Sequence, residues 1–330
     1  MWGNMGSNKC VFLSGGTGTP KLLQGTTSLI DPQDITIIGN TGDDWRYYGL
    51  YVSPDIDSIL FTLANLIDVT KWWGIKNDSF NMVKMLQEIL KENVWFNLGD
   101  QDAGLCLYRT WLLEQGLSLT EATKKITKRL NIESTVLPMA NQPIRTMIRT
   151  ENELLHLQEY WVRYKGKPEV INVFFEGDLS LTTSEIIAKI KSADFVIIGP
   201  SNPVSSLGPI LAISPIRNAL RTSNAKKYAI SPIIGGTAIS GPTSKFLRAW
   251  NYETSPITVG KLFHDILDGL ILHESDQNLE RATQKLGIKP LFQIINILFF
   301  LSCFYSYIIY KSLSRVMISL ISSIVSRYIH

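Results

Sequence analysis

Cys10-Val11-Phe12-Leu13-Ser14-Gly15-Gly16-Thr17-Gly18-Thr19-Pro20-Lys21 passes from an unbroken apolar run into a glycine-rich turn, and Lys21 to Leu29 continues in helix-compatible residues. Strand, glycine turn and helix in that order open a nucleotide-binding α/β unit. Ile35 to Gly39 reads as a second strand and ends in Asn40-Thr41-Gly42-Asp43-Asp44. Strand character returns in Ile171 to Phe175 and in Phe195 to Ile198, the latter running directly into Gly199-Pro200-Ser201-Asn202-Pro203. Lys227 to Ile230 likewise runs into Ser231-Pro232-Ile233-Ile234-Gly235-Gly236. Buried apolar strands alternating with helices predict an α/β fold: a doubly wound, mostly parallel, Rossmann-like sheet.

Between these strands the pattern is helical. Ser58 to Ile67 reads as a helix introduced by the Ser53-Pro54-Asp55 turn. Met82, Met85, Leu86, Ile89 and Leu90 recur at helix spacing, as do Leu107, Trp111 and Leu112, and Thr120 to Leu130 starts with a Ser/Thr cap. This predicts a helical subdomain over about residues 80–131, inserted in a domain spanning 9–289.

Composition sets bounds. A chain of 330 residues with 45% hydrophobic and 18% charged residues is globular rather than disordered. A net charge of +3 with no basic run argues against nucleic acid as a partner. Cys10, Cys106 and Cys303 lie far apart with no CxxC pair, which fits a reducing, cytoplasmic compartment and indicates neither a zinc site nor a disulfide framework. One lysine and no apolar core precede the first strand, so no secretory signal is read there. The segment from residue 290 to 330 departs from the rest. Pro290 to Tyr310 contains no charged residue, and Phe292 to Tyr310 as a helix spans roughly 28 Å, about a bilayer core. It reads as a membrane-contacting tail, a buried helix, or the product of an altered reading frame.

The chemistry is expected where strands end. The loops at Gly15, Asn40, Gly199 and Ser231 gather at one edge of an open parallel sheet, where ligands bind. Glycine permits close backbone approach, and free N–H groups at a helix start favour phosphate oxygens. Four such loops point to a large phosphorylated ligand and predict Gly16, Asp57, Gly199 and Gly235 around one crevice. Gly15 to Lys21 satisfies neither GxxxxGK[ST] nor GxGxxG, which disfavours a dinucleotide oxidoreductase. Lys21 either neutralises phosphate or is a solvated helix lysine. Asp43, Asp44, Asp55 and Asp57 form the densest carboxylate group in a loop region; such a group either holds a cation such as Mg²⁺ or serves as turn-formers and helix caps. Trp72-Trp73 either stacks an aromatic ligand or packs. The four histidines are scattered and no GxSxG elbow occurs, so a Ser-His-Asp hydrolase is not indicated.

Taken together, Leu13 to Leu23, Asn40 to Asp44, Ser53-Pro54-Asp55-Ile56-Asp57, Trp72-Trp73-Gly74-Ile75, Leu98-Gly99-Asp100, Gln158-Glu159-Tyr160, Gly199 to Pro203, Ser231 to Gly236 and Ser240-Gly241-Pro242 keep a recognisable order. They resemble the 2-phospho-L-lactate transferase family of coenzyme F420 biosynthesis over about residues 9 to 289. The resemblance implies a Mg²⁺-dependent homodimeric transferase. Its donor is a lactyl diphosphoguanosine or the enolpyruvyl analogue, its acceptor the ribityl hydroxyl of the deazaflavin Fo, and its leaving group GMP. By position, Asp57 and Asn97 match the family's deazaflavin-binding positions, and Asp43, Asp44 and Asp55 are its metal candidates. Gly15, Gly16, Thr17, Gly18, Thr19, Lys21, Asn40, Gly199, Ser201, Asn202, Ser231 and Gly235 are the residues expected to hold the nucleotide diphosphate. Asp57 is expected to orient or deprotonate the acceptor hydroxyl.

The sequence departs from the family in places. An acidic pair is absent from Met139-Ala140-Asn141-Gln142-Pro143, Gln101 stands where a basic residue is expected, and an Ala-Thr-His run is replaced near Gly104-Leu105-Cys106. Nothing beyond Lys289 matches. The competing expectation is a regulatory protein of the related gluconeogenesis-factor type, which binds nucleotide sugars.

Overall fold

The computed structural model describes residues 8–239, 241–293 and 295. Its frame is a seven-stranded sheet. The strands are β1 (Cys10–Ser14), β2 (Ile35–Gly39), β3 (Thr135–Pro138), β4 (Phe195–Ile198), β5 (Lys226–Ile230), β6 (Gly269–His273) and β7 (Lys289–Gln293). They lie in the order β7-β6-β5-β4-β1-β2-β3, and every pairing is parallel. The order reverses between β1 and β4, which makes that gap the switch point of a Rossmann-like sheet.

Alternation along each strand explains why both faces need cover. Val11, Leu13, Ile38, Val196 and Ile198 enter one core, while Cys10, Phe12, Ile35, Ile37 and Ile197 enter the other. A strand buried on both sides reads as a continuous apolar run, as these do. The second core is closed by α1 (Gly18–Thr26) through Leu22 and Leu23, and by α2 (Pro54–Leu63) through Ile56, Ile59 and Leu60.

The 80–131 segment contains α3 (Asn81–Lys84), a wider turn at Met85–Ile89, α4 (Asp100–Glu114) and α5 (Leu119–Arg129). Leu112, Ala122 and Ile126 join the same core as β1 and β2, so α4 and α5 also cover the sheet. Met85, Ile89 and Leu90 are exposed. Ser118 and Glu121 form a capping box at the start of α5.

Three expectations shift. Ile171 to Phe175 does not enter the main sheet; Asn172–Gly177 is an edge of a separate three-stranded antiparallel sheet, paired with Ile144–Arg149. Only Val173 of this strand is fully buried, so it lacks the two apolar faces an inner parallel strand needs. The helix read from Ser58 begins at Pro54, because proline suits the first helical position, and this puts Asp55 and Asp57 in its first turn. The boundary drawn after Lys289 falls inside β7, where Leu291 pairs with Ile271 and is buried. Phe292 and Gln293, the start of the expected 292–310 helix, belong to that strand. Of the rest of that span only Ile295 is among the described residues, and Ser240 also lies outside them. Among the described residues no helix is long and apolar enough to cross a membrane.

Two local devices set the crevice walls. The Cβ of any residue larger than glycine at position 18 would overlap the Pro200 carbonyl oxygen. Nearby, the Thr19 amide and hydroxyl reach Ser201 Oγ at 3.2 and 2.7 Å, and Ser201 Oγ donates to the Gly15 carbonyl. The loops after β1 and β4 are thus bolted together. Elsewhere α3 and α4 cap each other. Asp100 accepts from Asn81 N and Met82 N, both at 2.9 Å, and Asp78 accepts from Gln101 N at 2.9 Å and Asp102 N at 3.1 Å.

Gly18→Ala is expected to cost about 3 kcal/mol, at the upper end for overpacking, because both colliding groups are backbone. Urea denaturation checks this, and a loss below about 1 kcal/mol contradicts the bolted-loop picture. Hydrogen bonds from Ser79, Met82 and Asn81 lower the Asp100 carboxyl to about 2, from an unfolded value near 3.8. A depressed carboxylate stabilises above its unfolded pKa and loses that contribution as pH falls through the folded one. The α3 cap should therefore loosen between about pH 4 and pH 2, seen as a shift of the Met82 amide resonance with a midpoint near 2.

Candidate active site

The C-terminal ends of β1, β2 and β4 open onto a cavity of about 500 Å³. One end is backbone-rich. Gly16, Thr17 and Gly18 line it from the first loop, and Ser201 and Asn202 from the loop after β4. Gly16 takes φ +57°, a conformation glycine adopts without strain, which lets the loop turn into α1. No acidic residue occupies the first turn of α1, and Thr17 at its N-cap makes no side-chain hydrogen bond into it. That helix start suits an anion.

Lys21 brings a positive charge to the same wall. Its ammonium lies 5.4 Å from the Trp72 ring centroid, a cation–π distance, and partial burial lowers its pKa. Lys21 is thus partly buried at the cavity and partly open to solvent.

The floor is acidic. Asp43 and Asp55 line the cavity and are nearly inaccessible. Asn40 Nδ2 donates to both, at 2.9 and 2.8 Å, and Gln158 Nε2 donates to Asp43 at 3.1 Å. Among the described residues neither carboxylate has a lysine or arginine partner. Burial, with Asp55 and Asp44 nearby, pushes the Asp43 carboxyl well up, and burial pushes Asp55 up to about 6. Two desolvated carboxylates with no lysine or arginine partner among the described residues fit a hard divalent cation, which takes one or two carboxylates plus phosphate and water oxygens.

Asp44 is turned elsewhere. Its oxygens accept from Ser53 Oγ at 2.7 Å and Tyr51 OH at 3.0 Å, and it lines a separate pocket with Arg145 and His156. Of the three metal candidates, Asp43 and Asp55 line the cavity and Asp44 lines the neighbouring pocket.

Asp57 lines the cavity beside Asn97, as expected. Its two oxygens, however, both accept from the guanidinium of Arg109, one from Nη1 at 3.0 Å and one from Nη2. Arg109 is fully buried and is held charged chiefly by Asp57, against the pull of desolvation. Both Asp57 oxygens are thus committed to Arg109. Asp102, Cys106 and Asp57 place ligand-type atoms within 4.8 Å of one another, but this cluster already contains its own cation.

Part of the lining is aromatic. Trp73 and Trp161 line the cavity with 45% of each residue exposed, and Phe96 joins them. Half-exposed indoles offer flat faces to a ring system.

Other predicted residues brace the site, and of these Ser201 and Asn202 also line the cavity. Asn40 holds the two acids and accepts from Gly42 N at 2.8 Å. Thr19 bonds Ser201, and Gly199 packs against Thr19. Asn202 Oδ1 accepts from Val204 and Ser205 amides at 2.9 and 3.2 Å. Gly15 is pressed against Asp55 and Ser206. Ser231 is buried with its hydroxyl on Ile233, and the Gly235 amide donates to Asp276 at 3.1 Å. From that loop region Pro232, Ile239, Gly241 and Pro242 reach the cavity instead. Of the four residues expected around one crevice, Gly16 and Asp57 line it, while Gly199 sits behind its wall and Gly235 does not reach it.

Sequence reading missed Arg109, Asp102 and Cys106. The available signal was their spacing, i, i+4 and i+7 on one helix, which puts three polar or reactive groups on the inward face of α4.

A crevice at the switch point of a parallel sheet places the protein among Rossmann-like α/β proteins. Two crystal structures of a Bacillus halodurans protein of the UPF0052 family share this fold, with TM-scores of 0.59 and 0.60 at 18% identity. They cover 88% and 89% of this chain and 93% and 97% of their own. The family model for 2-phospho-L-lactate transferase CofD matches residues 10–290. A 2-phospho-L-lactate transferase of Methanospirillum hungatei is 38% identical over 266 residues, 80% of this chain and 89% of its own length. That of Methanosarcina acetivorans is 36% identical over 281 residues, 84% of this chain and 90% of its own. The chain belongs to the 2-phospho-L-lactate transferase CofD family, whose members transfer phosphorus-containing groups.

Removing one partner of a buried pair strands the other. Arg109→Met is expected to cost roughly 3–5 kcal/mol by chemical denaturation, and Arg109→Met combined with Asp57→Leu to cost less than Arg109→Met alone. Strict additivity of the two substitutions would show that the ion pair does not organise this wall.

Proposed function

We propose that this chain transfers a 2-phospholactyl or phosphoenolpyruvyl group from a guanosine diphosphate-linked donor to the ribityl hydroxyl of the deazaflavin Fo, releasing GMP in coenzyme F420 biosynthesis. The observation that carries the reading is the cavity's lining. Glycine turns, the start of α1 and Lys21 supply lining suited to a diphosphate, and Trp73 and Trp161 supply lining suited to a flat tricyclic ring, in one cavity. Family membership supplies the reaction class.

Each wall has a task in this reading. The Gly16 to Gly18 turn and Lys21 bind the diphosphate and spread its charge. Asp43 and Asp55 hold Mg²⁺, which when bound neutralises phosphate charge. Asn97 and the Asp57–Arg109 pair border the acceptor. The two indoles exclude water and orient the ring. Asn40 and Gln158 keep the two acids aimed at one place before substrate arrives, and such preorganisation lowers the reorganisation needed during transfer. The fold likeness to the UPF0052 protein does not favour a regulatory reading, since it reaches only 18% identity.

The test is incubation of the full chain with Fo, Mg²⁺ and each guanylylated donor, with mass analysis of the products. A phosphodiester-linked deazaflavin plus GMP is expected. Tight binding of a UDP-sugar with no Fo binding would instead establish a nucleotide-sugar-binding protein. Asp55→Asn is expected to lower turnover by about 100-fold at fixed Mg²⁺, on the scale of removing one group that stabilises transition-state charge. Fo affinity should stay within about threefold, since Asp55 acts on the diphosphate and not on the ring. Steady-state kinetics with a Mg²⁺ titration and a deazaflavin fluorescence titration separate the two effects.

A further inference from the structure

Asp102 is a carboxylate on the cavity wall that the fold does not use. It sits in the first turn of α4, yet that helix is capped by Asp78, which accepts from the amides of Gln101 and Asp102. Among the described residues the only donor to its own carboxylate is the Cys106 thiol, a weak one at 3.8 Å. Its neighbour Asp57 is satisfied twice over by Arg109. One guanidinium thus faces two carboxylates and is committed to one of them. The other faces the cavity, on the same wall as Asn97.

We propose that Asp102, rather than Asp57, accepts the proton of the acceptor hydroxyl during transfer, with the Arg109–Asp57 pair acting as its fixed electrostatic neighbour. The assignment rests on the phospholactyl-transfer reading above. In the step, the hydroxyl oxygen forms a bond to the phosphorus that carries the lactate. The bond from that phosphorus to the oxygen bridging to GMP breaks, and GMP leaves with the bonding pair. The hydroxyl proton passes to an Asp102 oxygen.

The surroundings suit a base working near neutrality. Burial first, and then the Asp57 charge, push the Asp102 carboxyl up to about 7. Asp57 faces it from α2, Arg109 and Cys106 from α4, and Asp78 from the loop before α3. Asp78 adds to the rise, and Arg109 with the Cys106 hydrogen bond opposes it. Burial also raises the Cys106 thiol, so the sulfur stays protonated and adds no charge. A pair of carboxylates whose environments differ divides into an anion and a proton acceptor.

The experiment compares the full chain with Asp102→Asn and Asp102→Glu, using Fo, Mg²⁺ and the guanylylated donor that the wild type turns over. Turnover of the wild type should rise with pH through about 7, as Asp102 ionises. Asp102→Asn should lower kcat by about 10²- to 10⁴-fold and abolish that rise, with Fo bound within about threefold by fluorescence titration. A kcat within tenfold of wild type, or an unchanged acid limb, overturns the assignment. Asp102→Glu keeps the carboxylate and covers the case of an asparagine variant that fails to fold. A lower kcat with a displaced midpoint supports the role, and a wild-type profile overturns it. A wild type that forms no product with any donor overturns the transfer reading and the proton role with it. An active wild type with an indifferent Asp102→Asn overturns the proton role alone.

Discussion

β1 pairs in parallel with β2 on one side and with β4 on the other, and everything at the site follows from that double pairing. The two neighbours send their chains away in opposite directions, so a crevice opens between the loops at residues 15–18 and 199–202. A crevice at that point would ordinarily be loose, because two loops meet there and not two strands. Here Gly18 lies against the Pro200 carbonyl, and Ser201 Oγ ties Thr19 to Gly15. These contacts explain why the segment carries glycine and small hydroxyl residues: any larger side chain would part the loops and widen the anion-binding end.

The second constraint is electrostatic. Asp43, Asp55, Asp57 and Asp102 line one cavity, and two positive side chains, Lys21 and Arg109, lie at or behind its walls. The fold separates these charges by function. Arg109 neutralises Asp57 inside the protein, whereas Lys21 sits at the glycine-rich end and holds its place by lying over Trp72. Among the described residues Asp43 and Asp55 are left without a lysine or arginine partner, which costs stability in the isolated chain and which the proposed divalent cation would offset. Stability and function oppose each other here, as they do in many ligand sites.

The fold was legible because its strands are buried on both faces. Val11 to Leu13 and Val196 to Ile198 show no alternation, and each ends abruptly in a glycine or proline loop. Weaker strands escaped: Thr135–Pro138 is short and ends in proline, and Gly269–His273 opens on glycine and closes on histidine. Ile171 to Phe175 looked like an inner strand only because its composition is apolar; Ile171 is in fact exposed. At the site, residues read from loops reached the cavity as backbone or as acid side chains, as with Gly16, Asp43 and Asp55. Asn40 spends its amide nitrogen on Asp43 and Asp55, while Ser201 and Asn202 line the cavity and also bond the Gly15 carbonyl and the Val204 amide. Pattern reading finds which residues converge, but which atom faces the ligand depends on side-chain partners distant in sequence. Arg109 was invisible for that reason: it lies 52 positions from Asp57.

The departures from the family pattern on α4 gain meaning from this arrangement. Near Gly104-Leu105-Cys106 the family carries an Ala-Thr-His run, and here a thiol sits 4.0 Å from Asp57 and 3.8 Å from Asp102. A histidine in this company would be drawn toward its cationic form by two carboxylates. It would then share with Arg109 the task of compensating them. A buried thiol cannot, since desolvation keeps it neutral. The cluster of Asp57, Asp102 and Arg109 therefore carries one uncompensated negative charge when both acids are ionised. Asp102, lacking a strong donor, is where a proton is most readily accepted. With sulfur in place of imidazole, proton affinity moves from the second position in the stripe to its first, leaving the carboxylate that holds Arg109 unchanged.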